Sequence, residues 1–296
     1  NNYFFYAPSW FLSLWQNLGR KVIRLQDIAI ISRGITTNCN DYFILKKMAS
    51  NQYGNGYNQN FYLPSWSVTP ILTTPRNLDQ PLIASSEVEN FLFTCPYSKS
   101  TLEKQKMNPD YKAVLDYVRL GETQQIKIKR GTQRVNFIKG VINLASFKNK
   151  YKSHPDTWYQ ILPKTKKKQE IELFIQKIFD TQYKTGLSFD NLEINNTFYH
   201  IKMKSKFEKM EPMILAVLLS VFSMISLELQ GRLNFGGGAL DTATFDIENI
   251  LIPNPEYIPN EMKIELNIIS RQLMKRDFLP LEDLLKTPLQ QRLDRI

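Results

Sequence analysis

Between Met213 and Leu229 the chain runs for 17 residues through apolar side chains, interrupted by Ser220, Ser223, Ser226 and Glu228. A membrane-spanning helix needs about 20 such residues, and the flanks here carry no consistent basic side. The stretch therefore predicts a helix buried in a protein core. A second apolar periodicity, Ile264, Leu266, Ile268, Ile269 and Leu273, predicts a helix over about 260–275 that pairs antiparallel with it. A short helix is expected near Leu281–Leu285.

Upstream the period shortens. Val22, Ile23 and Leu25 precede Ile28-Ala29-Ile30-Ile31, then Ser32-Arg33-Gly34, then Tyr42-Phe43-Ile44-Leu45. That order predicts strand, polar loop, strand, with Gly34 at the turn and residues 36–40 as an exposed tip. Residues 50–60 read as a loop from their Asn and Gly content. Short β-like runs over 61–98 are punctuated by Pro64, Pro70, Pro75, Pro81 and Pro96. A helix is expected over 108–120, after Asn108-Pro109, with Tyr111, Val114, Leu115 and Val118 at helical spacing. Further strands are expected around 135–144, 158–162, 171–180 and 197–203. Residues 1–20, with Trp10, Phe11 and Trp15, read as a lead-in or linker from an upstream domain. Residues 21–208 read as a β-rich domain, and 209–296 as a C-terminal helical hairpin and tail packed on it. The fold class is α+β. A hydrophobic fraction of 43% over 296 residues suffices for such a core.

The charge is concentrated. Between Lys99 and Lys168 stand 17 Lys/Arg and 5 Asp/Glu, a balance of +12, against −2 for the remainder of a chain whose net charge is +10. Phe137, Phe147, Tyr151, Trp158 and Tyr159 are interleaved with these cations. A concentrated basic surface with aromatics among it points to nucleic acid, because neutralising phosphates releases counterions. A solvated basic face is the alternative. Anionic membrane is a weaker one, since no basic amphipathic helix accompanies the charge.

Several chemistries lack their residues. Two cysteines, Cys39 and Cys95, make neither a disulfide framework nor a cysteine-rich zinc site, which suits a reducing cytoplasm. Two histidines, His154 and His200, exclude most histidine-built metal centres. An amino-methyltransferase needs an Asp/Asn-Pro-Pro-Tyr/Phe turn, and Asn108-Pro109-Asp110-Tyr111 lacks the second proline. Its cofactor loop has Phe-x-Gly-x-Gly, and Phe235-Gly236-Gly237-Gly238-Ala239 departs at the last position. A metal-dependent nuclease wants Pro-Asp followed closely by Glu-x-Lys. Pro109-Asp110 and Pro155-Asp156 are more than a hundred residues from Glu261-Met262-Lys263. No catalytic, cofactor-binding or metal residue is assigned.

Five stretches do form a pattern. They are Leu25–Ala29 through Gly34-Ile35-Thr36-Thr37 to Asn40–Leu45; Tyr117 to Gly121-Glu122; Trp158-Tyr159; Lys177-Ile178-Phe179; and Leu215–Ser220 leading to Gly231-Arg232, Gly237–Leu240 and Ile250–Pro253. In this order the chain resembles, over roughly 20 to 255, the C-terminal target-recognition half of adenine-specific DNA methyltransferases of type II restriction–modification systems. The resemblance includes fused endonuclease–methylase forms with a TaqI-like specificity domain. It implies a β-rich, partly β-helix-like recognition body, double-stranded DNA as partner, and a prokaryotic cytoplasmic home away from membranes. It also implies an upstream methyltransferase domain in the same polypeptide that binds S-adenosylmethionine, so this chain alone would be no enzyme and hold no cofactor. The start at Asn1 fits a piece of a longer chain. A separate specificity subunit docking on a methylase, and a fragment holding a DNA-cleavage centre, stay open. The family often has Thr-Gly-x-Asn where this chain has Thr37-Asn38-Cys39-Asn40, which predicts a different loop backbone.

On this reading the DNA-binding candidates fall into four groups. Arg33, Thr36, Thr37, Asn38 and Asn40 would line the duplex near an extruded adenine, or form a loop held by side chain–backbone bonds. Lys127, Lys129, Arg130, Gln133, Arg134 and Lys139 would grip phosphates, with Arg130, Gln133 and Arg134 suited to base edges. Lys164, Lys166, Lys167 and Lys168 would touch the backbone. Arg232 would clamp a phosphate or cap the preceding helix, and Gly236–Gly238 would reverse the chain.

Overall fold

The computed structural model of the protein describes residues 19–130, 134–162, 171–233 and 239–296, with Ser9, Ser13 and Asn17 singly before them. The expected lead-in over 1–20 and the glycine reversal at 236–238 thus lie almost wholly outside the described residues. The chain divides into two compact units, each built from separated segments. One comprises 1–34, 72–85 and 169–296; the other comprises 35–71 and 86–168.

In the first unit the apolar stretch forms two helices, Glu211–Leu218 and Val221–Glu228, bent by 65°. The single helix expected over 213–229 is broken because Ser220 caps the second one, its Oγ accepting from Ser223 N at 3.4 Å. Ile214, Leu215 and Ala216 are fully buried. No single helix among the described residues is long and apolar enough to cross a membrane. The helix Asn260–Leu273 packs on Glu211–Leu218 in the antiparallel sense expected: Ser270 Oγ donates to Pro212 O near one end, while Leu266 and Val217 line a common cavity toward the other. A short helix, Leu281–Leu284, follows.

These helices share one hydrophobic core with a four-stranded antiparallel sheet in the order Thr185–Ser188, Glu172–Gln176, Phe198–Met203, Ala29–Arg33. Glu172–Gln176 is buried along its whole length. Its Glu172 meets the buried His200 (Oε2 to Nδ1, 3.1 Å), so that histidine is structural. Val22–Arg24 pairs with Leu251–Pro253, joining the two ends of the unit.

The second unit has its own core. Strands Val68–Leu72, Asn90–Phe93, Ile44–Ala49, Gln52–Gly54 and Asn60–Tyr62 form an antiparallel sheet in that order. The helix Pro109–Thr123 starts where its residues dictate: Asn108 Oδ1 accepts from Asp110 N at 2.9 Å and Pro109 occupies the first turn. Tyr42 and Tyr117 stack at 4.9 Å, and each hydroxyl donates to the other's backbone carbonyl, at 3.2 and 2.6 Å. Trp158 lies edge-on to Phe147 and Tyr159 and donates from Nε1 to Glu122 at 3.3 Å.

Three local expectations are corrected. Asn40–Phe43 is a helical turn and the strand begins at Ile44. The supposed loop 50–60 contains Gln52–Gly54 and the start of Asn60–Tyr62. Residues 158–162 form no strand, because Trp158 and Tyr159 turn into the core, both fully buried. The fold is α+β with a helical C-terminal end, as expected. The chain does not divide at 208/209, however. Strands of 29–33 and 172–203 share one hydrophobic core with the helices beyond 209, whereas 35–71 and 86–168 build a separate one.

Candidate nucleic-acid interface

The division of the chain sorts its charge. The second unit holds 19 Lys/Arg against 8 Asp/Glu, a balance of +11; the first holds 19 against 20, a balance of −1. Within the second unit some cations are internally neutralised. Lys99 Nζ meets Glu122 at 2.7 Å, Arg119 and Lys106 meet Glu103 at 2.5 and 3.9 Å, and Lys46 meets Glu89 at 3.3 Å. Lys150 is half-buried, donates to Gln160 O at 2.5 Å, and burial pulls its pKa down, so it serves the core. Lys47, Lys104, Lys112, Lys127, Lys139, Lys148 and Lys152 are exposed and form no ion pair among the described residues.

Most of the interleaved aromatics do not face solvent with them. Phe147, Trp158 and Tyr159 are core, and Tyr151 is half-buried. Phe137 is the exception, 61% exposed.

Phe137 belongs to a two-stranded antiparallel ribbon of Gln125–Arg130 and Arg134–Lys139, in register from Gln125↔Lys139 to Arg130↔Arg134. Neither strand joins a larger sheet among the described residues. Strand alternation puts Gln125, Lys127, Phe137 and Lys139 on one face, all exposed, while Ile126 is buried and Ile138 half-buried on the other. Lys129, Arg130 and Arg134 occupy ladder positions in the ribbon; their side chains, Gln133, and Lys164 and Lys166–Lys168 lie outside the described residues.

The ribbon base is fixed to the end of the Pro109–Thr123 helix. Gly140 N donates to Gln124 O at 2.7 Å, and Asn143 Nδ2 donates to Lys139 O at the same distance. Gly140 has φ +79, and a Cβ there would lie 2.3 Å from Glu122 O. Gly140→Ala is therefore expected to lower stability by at least about 1–2 kcal/mol, read as a lower urea midpoint at unchanged slope.

The loop candidates are held by local bonds. Thr37 is buried at 2% exposure, its hydroxyl donates to Asn40 Oδ1, and it accepts from Cys39 N at 3.3 Å. Thr37 is thus a structural residue. Asn38 is exposed with φ +57, the left-handed region that glycine favours and asparagine tolerates best among the others. Asn38 thus holds a backbone conformation that glycine at the same position would also adopt. Cys39 Sγ meets Tyr57 Oη at 3.4 Å and burial raises its pKa; burial pushes the Cys95 thiol up to about 12. Thr36 and Asn40 are exposed.

Arg33 belongs to the first unit. It is exposed and lines a shallow polar cavity with Lys177, Tyr199 and Asp241, where Lys177 and Asp241 pair at 3.5 Å. Arg232 stands opposite Asp241 in the neighbouring ladder, within a strand rather than at the helix end. The candidates thus fall into two groups, Arg33 and Arg232 in one unit and the rest in the other. Sequence reasoning named Phe137 among several aromatics; its alternation with Ile126 and Ile138 across the ribbon is the signal that would have singled it out.

No protein-family model matches the sequence, and no curated protein does. Among solved structures the chain is similar to part of the type IIG restriction endonuclease BpuSI, with TM-score 0.57 and 13% identity. The match covers 96% of this chain and 31% of that one. It is also similar to part of the type IIL restriction–modification enzyme MmeI, solved in complex with DNA, with TM-score 0.51 and 13% identity. There it covers 92% of this chain and 32% of that one. The chain thus has the fold of a segment of restriction–modification enzymes and spans about a third of their length.

Proposed function

We propose that this chain is a double-stranded DNA recognition module of a restriction–modification enzyme. It positions a target adenine for S-adenosylmethionine-dependent methylation carried out by another domain of the parent protein. The observation that carries the reading is the sorting of charge: the net +11 of the second unit, with seven exposed lysines free of ion pairs among the described residues. The fold shared with parts of two restriction enzymes supports it, as does the motif pattern that resembles methyltransferase recognition domains. The catalytic turn and cofactor loop missing from the sequence fit chemistry performed elsewhere.

The reading is tested by fluorescence anisotropy of a labelled 30-base-pair duplex with the full chain at low salt. Binding is expected, and it is expected to weaken when Lys148 and Lys152 are both replaced by glutamine. Replacing the exposed Lys202 and Lys275 of the first unit in the same way should leave it unchanged. A folded chain that does not bind, or that responds equally to both pairs, overturns the proposal.

A further inference from the structure

The ribbon Gln125–Arg130/Arg134–Lys139 is an unusual element to leave in solvent. It has six residue pairs, two open edges among the described residues, and a large aromatic on its exposed face. Open strand edges invite pairing with other chains, and lysines along them are a common protection. Protection explains Lys127 and Lys139. It does not explain Phe137, which adds apolar surface where an unpartnered ribbon can least tolerate it.

We propose that this ribbon enters the major groove of B-form DNA, with Phe137 making an apolar contact to base edges and Lys127 and Lys139 lying toward the phosphates. The inference rests on the DNA-recognition reading and names the element and groove it would use. Three observations support it. First, six pairs at about 3.3 Å per residue make a ribbon about 20 Å long, and two strands lie about 4.8 Å apart. A major groove about 12 Å wide admits such a ribbon with its side chains, whereas a minor groove about 6 Å wide admits it only if the duplex is deformed. Second, residues 125–139 contain five Lys/Arg and no Asp/Glu, so the element carries no charge that phosphates would repel. Third, Phe137 stands directly opposite Lys127 and beside Lys139 on one face, while Ile126 on the other face anchors the base in the core. An aromatic flanked by cations on a fixed base is suited to meet the thymine methyl group, the apolar feature of the major groove. The deep, narrow major groove of A-form RNA would exclude the ribbon.

The test uses the full chain, a 40-base-pair duplex pool with a randomised centre, and light dimethyl sulfate methylation. Guanine N7 methylation marks the major groove and adenine N3 methylation the minor groove. For the wild type, bound duplexes are expected to be depleted of N7-methylguanine at specific positions and to show at least one position with a thymine preference. In Phe137→Ala that preference should fall by about tenfold, the scale of one mismatched base pair, while the dependence of affinity on salt stays the same. Replacing that thymine by uracil should weaken the wild type and leave Phe137→Ala unaffected. Interference at adenine N3 alone, or an unaltered base preference in Phe137→Ala, overturns the ribbon while leaving DNA recognition intact. Absence of any duplex binding by the folded chain overturns both.

Discussion

Raising monovalent salt from 50 to 200 mM is expected to weaken duplex binding by about a thousandfold. The slope of log affinity against log salt is about −0.9 for each phosphate neutralised. Seven exposed lysines of the second unit have no ion pair among the described residues. If about six of them meet phosphates, the slope is about −5, and a fourfold rise in salt yields the stated loss. Lys99, Arg119 and Lys150 should contribute little to that slope, because Glu122, Glu103 and the Gln160 carbonyl already hold them. An anisotropy titration at four salt concentrations checks the value. A slope near zero would mean that these lysines merely solvate the surface.

Trp158→Ala is expected to cost about 3–5 kcal/mol, the range for removing a large buried aromatic. Trp158 is fully buried, and its ring packs against Tyr42, Phe43, Phe147 and Tyr159. Its loss also removes the indole donor from Glu122, a carboxylate shared with Lys99. Domain stabilities are themselves about 5–15 kcal/mol, so the variant should lose a large share of the second unit's stability. Denaturant titration would show a markedly lower midpoint for the second core. Phe137→Ala, on the exposed face of the ribbon, should leave that midpoint nearly unchanged.

Both expectations bear on what could be read before the fold was known. The apolar run at 213–229 announced a buried helix, and its serines marked where the helix breaks, yet composition alone does not distinguish a capping serine from a tolerated one. The helix after Asn108-Pro109 was legible because its cap and first turn are local. Gln52–Gly54 was not, since its surroundings of Asn, Gln and Gly say loop and pairing with Ile44–Ala49 on one side and Asn60–Tyr62 on the other makes it a strand. Gly121-Glu122 and Trp158-Tyr159, which carry part of the family resemblance, turn out to be packing. A Cβ at Gly121 would lie 2.6 Å from the Trp158 ring and 2.7 Å from Tyr42. Such residues identify a fold and say nothing direct about what it binds. The aromatics among the lysines misled for the same reason: spacing cannot tell which ring points inward until the turn at 158 is seen.

The interleaving of the two units bears on how the molecule is made. Residues 35–71 and 86–168 leave the ribosome before the rest of the first unit exists, so the basic unit has its complete core early. Ala29–Arg33 and Val22–Arg24 must wait for Phe198–Met203 and Leu251–Pro253, their ladder partners, to be synthesised. During synthesis the second core is therefore expected to close first, and Val22–Arg24 and Ala29–Arg33 to pair only once their distant partners have emerged.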